Sequence, residues 1–135
     1  MNINLTSDKL IKDIQLEFNQ VFPFLRIEFI RKPHPFMQSS EKVYALPHEL
    51  IMANAAKSKT SINVDISSSM TVREVEEICE KDFGVLVEFY RKSGINWLEI
   101  TMTDDWTIQQ QNNLGNELSK LFVNVIKKET VLKPD

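Results

Sequence analysis

The stretch GVLVEFYRKSGINWLEIT, residues 84–101, decides the fold because it carries the pattern of a β-hairpin. Two runs rich in β-branched and aromatic residues flank Ser93-Gly94, and a glycine-containing dipeptide between such runs is typical of a tight turn. Pairing across this turn predicts three cross-strand pairs, which are Tyr90–Trp97, Phe89–Leu98 and Val87–Ile100.

Side chains alternate along a strand, so the predicted hairpin has two different faces. We expect the apolar face, with Val87, Phe89, Leu98 and Ile100, to lie on the core. The other face carries Tyr90, Trp97, Glu88 and Glu99, which we take as the candidate protein-interaction residues. Glu88 would lie opposite Glu99, and like charges across a ladder destabilise it. Three explanations of this repulsive pair are open. Lys92 and Arg26 can screen the two charges, a partner can supply cations, or the true register of the hairpin differs from the predicted one.

An internal repeat extends this pattern to the first half of the chain. FLRIEFIRK (24–32) aligns with GVLVEFYRK (84–92) at an offset of 60 residues. The preceding helices have similarly spaced apolar residues at an offset of 61, which are Ile11, Ile14, Phe18 and Phe22 in one and Val72, Val75, Cys79 and Phe83 in the other. The predicted order of elements is α-β-β-α-β-β-α.

The helix boundaries follow from capping and punctuation signals. We expect the first helix to start near Ser7 and to end before Pro23, and the second to start at the capping box Thr71–Glu74 and to end at Gly84. Cys79 lies on the apolar side of the second helix and is expected to be a small buried hydrophobe.

The last helix is expected to begin near Asp105 or Thr107. Its apolar residues, expected to point inward, are Leu114, Leu118, Leu121, Phe122, Val125 and Ile126. Asp104 and Asp105 are typical of a helix N-terminus, although adjacent aspartates can also hold a divalent ion. The neutral run 109–113, QQQNN, is predicted either to face solvent or to bind the backbone of a partner.

These elements predict an α+β fold in which a four- to five-stranded antiparallel sheet forms a two-layer sandwich with helices mainly on one face. The element order resembles a ferredoxin-like sheet started at a different point. In order, size and acidity it also resembles the small dimeric chaperones of bacterial secretion systems. We expect a single domain over 1–135, with an irregular insertion at about 33–60 and a frayed tail at about 129–135.

Composition narrows the possible functions of these 135 residues. A net charge of −3 argues against a dedicated nucleic-acid binder, and one cysteine excludes an intramolecular disulfide and a cysteine-rich zinc site. No signal peptide and no apolar run of about 18 residues is visible, so we expect no membrane partner and a cytoplasmic location. No phosphate loop, nucleophile elbow or metal-binding motif is present, so we predict no catalytic residue, cofactor or metal.

Three functional hypotheses follow. The first is a non-enzymatic protein-binding or adaptor module that acts through a sheet face and binds itself, as a homodimer, or another protein. The second is a secretion-type chaperone in which an extended client segment adds to a strand. The third is a small ligand-binding protein or enzyme that uses the segment 33–60, with His34, His48 and Glu49 as the candidate ligand-binding residues.

Overall fold

The computed structural model of the chain describes residues 2–30, 45–56 and 63–132. The elements in chain order are β1 (Asn2–Thr6), α1 (Ile11–Val21), β2 (Leu25–Ile30), α2 (Met52–Ala56), β3 (Asn63–Ser67), α3 (Val72–Phe83), β4 (Leu86–Ser93), β5 (Asn96–Glu99) and α4 (Ile108–Leu132). Much of the predicted insertion and the last residues of the predicted tail lie outside the described residues. None of the helices in the described ranges combines the length and the apolar character that crossing a membrane requires.

The fold is α+β, as the sequence predicts, but its described strands form two antiparallel sheets. One sheet pairs β1 with β3, and the other has the order β2-β4-β5. We expected one sheet of four to five strands and did not predict β1. Its five residues alternate correctly, with Ile3 and Leu5 buried. The partner of β1 lies some sixty residues further along the chain, and no local signal reveals such a pairing.

The strand registers show how the two copies of the internal repeat pair with each other. Asn4 pairs with Asp65, which is its counterpart at an offset of 61. Glu28 pairs with Glu88, its counterpart at an offset of 60. Each of these strands is therefore paired antiparallel with its own copy, which places a local two-fold axis at each pair.

Backbone hydrogen bonds at the helix starts repeat in the same way. The amides of Ile11 and Val72 donate to the carbonyls of Leu50 and Trp106 at 2.9 and 3.1 Å. One residue later, Lys12 donates to His48 as Arg73 donates to Asp104, both at 2.8 Å. We call residues 2–56 the first unit and residues 63–132 the second unit. Positions in the first strand and helix correspond at an offset of 61, and positions around α2 and α4 correspond at an offset of 56.

The two units share a single hydrophobic core. The Phe18 ring lies 5.3 Å from that of Phe22 in its own unit and 5.6 Å from that of Phe89 in the other. All three side chains are almost completely buried, and each such burial stabilises the fold by about 1.5–3 kcal/mol. Cys79 belongs to the same cluster, as predicted, and its burial raises the thiol pKa to about 12, so it stays protonated.

Side-chain caps hold the helices of the second unit. The Thr71 hydroxyl accepts a hydrogen bond from the Glu74 amide at 3.1 Å, which confirms the predicted cap. The Thr107 hydroxyl accepts from the Gln110 amide at 3.1 Å, and Gln110 Oε1 in turn accepts from the Thr107 amide at 2.9 Å. At the N-cap of α1, by contrast, Leu10 makes no such bond.

The hairpin exists, but its predicted register is wrong. Tyr90 pairs with Glu99, and Trp97 pairs with Lys92. The two-residue loop is Gly94-Ile95, because Gly94, with φ of +65°, takes the first central position, where left-handed backbone favours glycine. This shifts the pairing by two residues. A two-residue shift keeps every side chain on its face, so Tyr90, Trp97, Glu88 and Glu99 still share one face.

The amide run of α4 holds that helix to the rest of the chain. The buried Gln111 accepts a bond from Arg91 at 2.6 Å and donates to the Thr103 carbonyl at 2.7 Å. Asn112 accepts from the Phe24 amide at 3.0 Å. Gln111 and Asn112 therefore bond within the chain, in contrast to the prediction, whereas Gln109, Gln110 and Asn113 are exposed to solvent, as predicted.

The prediction that all the apolar residues of α4 point inward is wrong for its C-terminal half. Leu121, Val125 and Ile126 are exposed, whereas Phe122 is half-buried against Gly94. Further back, Gly115 packs so tightly on Phe24 that a Cβ would lie 2.7 Å from the Phe24 Cβ. The helix therefore meets the sheet up to the hairpin turn and continues past it.

Candidate functional site

A cleft of about 510 Å³ lies where α1 meets the face of the sheet that points away from the core. Lys12, Gln15, Leu16 and Asn19 line it from α1, and Arg26, Ile27, Glu28, His48, Tyr90 and Trp97 complete its wall. We call it the outer-face cleft. It contains both predicted aromatic residues and one of the two histidines, which the sequence placed in separate hypotheses.

The aromatic part of the cleft spans three strands. Tyr90 and Trp97 are half-buried and lie outside the core cluster. The Arg26 guanidinium carbon lies 4.2 Å from the centroid of the Trp97 ring, which is a cation–π contact. This face of the sheet already holds one cationic group against an aromatic ring.

Three carboxylates lie beside these rings. Glu28 is directly opposite Glu88, and Glu99 is opposite Tyr90. The Tyr90 hydroxyl donates to Glu88 at 2.6 Å, and this bond, with burial, raises the pKa of Tyr90 well above its usual value. Burial and the charge of Glu88 raise the pKa of Glu99. The direct like-charge pair is thus Glu28–Glu88 rather than the predicted Glu88–Glu99, and Glu99 joins it as a third member.

His48 is the member of the predicted ligand-binding group that reaches the cleft. Its Nε2 lies 3.0 Å from Glu28 Oε1. Glu49 is exposed and does not line the cleft, and His34 lies outside the described residues. The structure therefore places His48 with the sheet-face residues and does not bring it together with Glu49.

Two side-chain amides of α1 close part of the β2 edge. Gln15 donates to the Ile27 carbonyl at 2.9 Å and to Glu28 at 3.2 Å. Asn19 donates to the Leu25 carbonyl at 2.9 Å. The edge carbonyls over this stretch of β2 are already hydrogen-bonded, so they cannot pair with an added strand.

The other candidate sites have structural roles. Asp104 forms an ion pair with Arg73 at 2.7 Å, and this contact raises the pKa of the Arg73 guanidinium. In the ranges 2–30, 45–56 and 63–132, no three His, Cys, Asp or Glu side chains are grouped so as to hold a metal ion.

Sequence reasoning missed Lys12, Gln15 and Leu16 as cleft residues. They lie on the partly exposed side of α1, where polar residues are ordinary and carry no signal of their own. The internal repeat was the available signal. Lys12 and His48 are the counterparts of Arg73 and Asp104, which form an ion pair in the second unit, so the repeat places Lys12 and His48 next to each other.

Comparison of the chain with protein-family models, with curated proteins and with solved structures gives no significant match. The functional argument therefore depends on the geometry and charge of the outer-face cleft.

Proposed function

We propose that the chain is a non-enzymatic protein-binding module that holds a basic segment of another protein in the outer-face cleft. The observation that carries this proposal is the group Glu28, Glu88 and Glu99 on three adjacent strands, beside Tyr90 and Trp97. Aromatic residues are enriched at protein interfaces, and a few such anchors supply most of the binding energy.

The carboxylates in and beside the cleft favour a cationic partner. Glu28 lines the cleft and Glu88 and Glu99 lie next to it, so three carboxylates outnumber the two cationic lining residues, Lys12 and Arg26. Three neighbouring carboxylates repel one another, and the raised pKa of Glu99 reflects this repulsion as well as its burial. A lysine or arginine from a partner would offset the repulsion, and would place a cation where aromatic faces attract it. The same carboxylates would repel nucleic-acid phosphates. The cytoplasm remains the proposed compartment, on the sequence argument given above.

The test is a titration of Trp97 fluorescence in a Trp106→Phe background with a short Lys/Arg-rich peptide. We expect saturable binding that weakens as salt screens the charges. The double variant Glu88→Gln/Glu99→Gln should weaken binding at least about tenfold, which corresponds to about 1.4 kcal/mol. Asp82→Asn, which removes an exposed carboxylate from α3, is the matched control and should leave the affinity unchanged.

The dependence on pH gives a second readout. The pKa of Glu99 is raised, so its carboxylate is lost at a higher pH than an ordinary glutamate. Binding of the basic peptide should weaken as pH falls through that pKa. Equal affinity for the peptide with its cations replaced by glutamine, or no effect of Glu88→Gln/Glu99→Gln, would overturn the proposal.

Under the secretion-chaperone hypothesis, a client strand would add to a free edge of the three-stranded sheet, and within the described residues only one of its edges is free along its length. Strand addition at β2 is blocked between Leu25 and Ile27, whereas β5 pairs with β4 and no other described strand. A client strand would therefore add at β5. The Ile100 amide donates to the Phe89 carbonyl, so the amide of the preceding Glu99 points to the free edge, and substitution of Glu99 by proline would abolish the addition. If the proline abolishes peptide binding while Glu88→Gln/Glu99→Gln does not, the chaperone hypothesis replaces ours.

A further inference from the structure

The C-terminal half of α4 carries an apolar surface that the rest of the described chain leaves open. Leu121 is 60% exposed and Val125 is 53% exposed. Together with Leu114 and Leu118 they recur at spacings of four, three and four residues, so they line one side of the helix. We call these four residues the α4 stripe. Such spacing is typical of a helix that packs against another helix.

The body of the molecule does not reach this part of the helix. Its contacts with α4 run from the start of the helix, where Gln111 is buried, to Phe122, which packs on Gly94. From Val123 to Lys128 every side chain is exposed. The helix continues for ten residues after Phe122, which is about 15 Å at the rise of an α-helix.

We propose that a second copy of this chain covers the α4 stripe, with the two α4 helices antiparallel. The argument is charge complementarity. Glu117 and Lys128 lie eleven residues apart, close to three helical turns, and therefore flank the stripe on the same side. The midpoint between them falls between Leu121 and Val125, at the centre of the exposed part of the stripe.

Antiparallel pairing about this midpoint brings Glu117 of each copy beside Lys128 of the other. The two-fold symmetry of a homodimer makes the contact twice. In a parallel pair the two-fold axis runs along the helices, so this side of one helix and the same side of the other lie on opposite sides of the interface. Glu117 and Lys128 of the two copies would then be separated by the stripe, and neither ion pair would form. Neither residue forms an ion pair within the described part of the chain, so both are available for this contact.

Sedimentation velocity over a concentration series tests the interface. A single helix pair is small, so we expect a dissociation constant in the micromolar range. Leu121→Glu/Val125→Glu should abolish the dimer. Met102→Glu is the matched control, because Met102 is 93% exposed and lies outside the stripe. An unchanged circular dichroism spectrum shows that a variant folds.

A charge swap tests the orientation without altering the apolar residues. Glu117→Lys and Lys128→Glu should each weaken dimerisation about tenfold, and the double variant should restore it. A wild-type chain that stays monomeric at about 0.1 mM would overturn the proposal, as would a dimer unaffected by Leu121→Glu/Val125→Glu or single swaps without rescue. The cleft is separate from this surface, so the peptide titration repeated on the monomeric variant distinguishes the two proposals.

Discussion

The two units have the same backbone hydrogen bonds at their helix starts, but the side chains at corresponding positions make different contacts. In the second unit, Arg73 at the start of α3 and Asp104 before α4 form an ion pair at 2.7 Å. Their counterparts in the first unit are Lys12 and His48, which have the same backbone hydrogen bond at 2.8 Å. There the two side chains line the outer-face cleft, and His48 turns to Glu28. Positions that form an ion pair in one unit therefore line a cleft in the other.

The two units also differ in the residues that cap their helices. The second unit starts α3 and α4 with threonine caps, whereas Leu10 and Ile51 stand at these positions in the first unit. Apolar side chains there offer no acceptor to the first-turn amides, so these helix starts have only the backbone bonds to the facing turn, which both units share. Side-chain caps therefore stabilise the helix starts of the second unit and contribute nothing at the corresponding starts of the first. Exchanging residues between corresponding positions tests this.

The largest effect is expected from Phe18→Cys, which gives α1 the residue that α3 has at Cys79. The variant removes a buried ring that contacts both units and should lower the free energy of unfolding by about 3–5 kcal/mol. Urea unfolding followed by circular dichroism and by tryptophan fluorescence measures it. Cys79→Ala is the control, with a loss of about 1 kcal/mol. Two separate unfolding transitions would contradict a shared core.

The next effect is expected from Gln111→Ala, which introduces the first unit's residue, Ala55. It leaves the half-buried Arg91 guanidinium without its side-chain acceptor and removes one of two hydrogen bonds at the Thr103 carbonyl, which keeps the Trp106 amide at 3.0 Å. The variant should cost about 2–3 kcal/mol. Asn113→Ala removes an exposed amide of the same run and should change stability by less than about 0.5 kcal/mol. Equal losses in the two variants would show that Gln111 does not hold α4 in place.

A smaller effect is expected at the caps. Thr71→Ala and Thr107→Ala each remove an acceptor for a first-turn amide and should cost about 1 kcal/mol. Thr→Ser at the same positions keeps the hydroxyl and serves as the control in thermal unfolding. If the serine variants lose as much as the alanine variants, the threonine methyl rather than the cap is responsible.

The smallest effect is expected from Glu76→Gln, which introduces the residue that α1 has at Gln15. Burial and the charge of Asp104 raise the pKa of Glu76 to about 7, above its ordinary value of 4.5. The native state therefore holds this proton more tightly, and stability falls as pH rises between these values. Glu76→Gln should add roughly 0.5–1 kcal/mol at pH 8, after allowance for solvent screening, and nothing at pH 4. A gain of the same size at both pH values would exclude this cause.

The sequence predicted features set by neighbouring residues. The cap at Thr71, the left-handed end at Gly84 and the existence of the hairpin were all correct, because each depends on residues a few positions apart. The hairpin register failed because both Ser93-Gly94 and Gly94-Ile95 give tight turns, and the positive φ of Gly94 selects the second.

Features set by distant contacts were not predictable in the same way. The strand β1 depends on pairing with β3, and the cleft depends on α1 lying beside β2. For α4, the pattern correctly indicated an apolar side, but periodicity does not tell whether the sheet extends far enough to cover it. The position of Gly94 against Phe122 marks where that cover ends.

The amides of Gln15 and Asn19 have a consequence for aggregation. An edge strand with free carbonyls is a template onto which further molecules can add, and fibres grow in this way. Here two neutral side chains occupy those acceptors along the start of β2 without placing a charge in the strand. The start of β2 is thus protected against the addition of further strands by bonds within the chain, and the neighbouring cleft stays open.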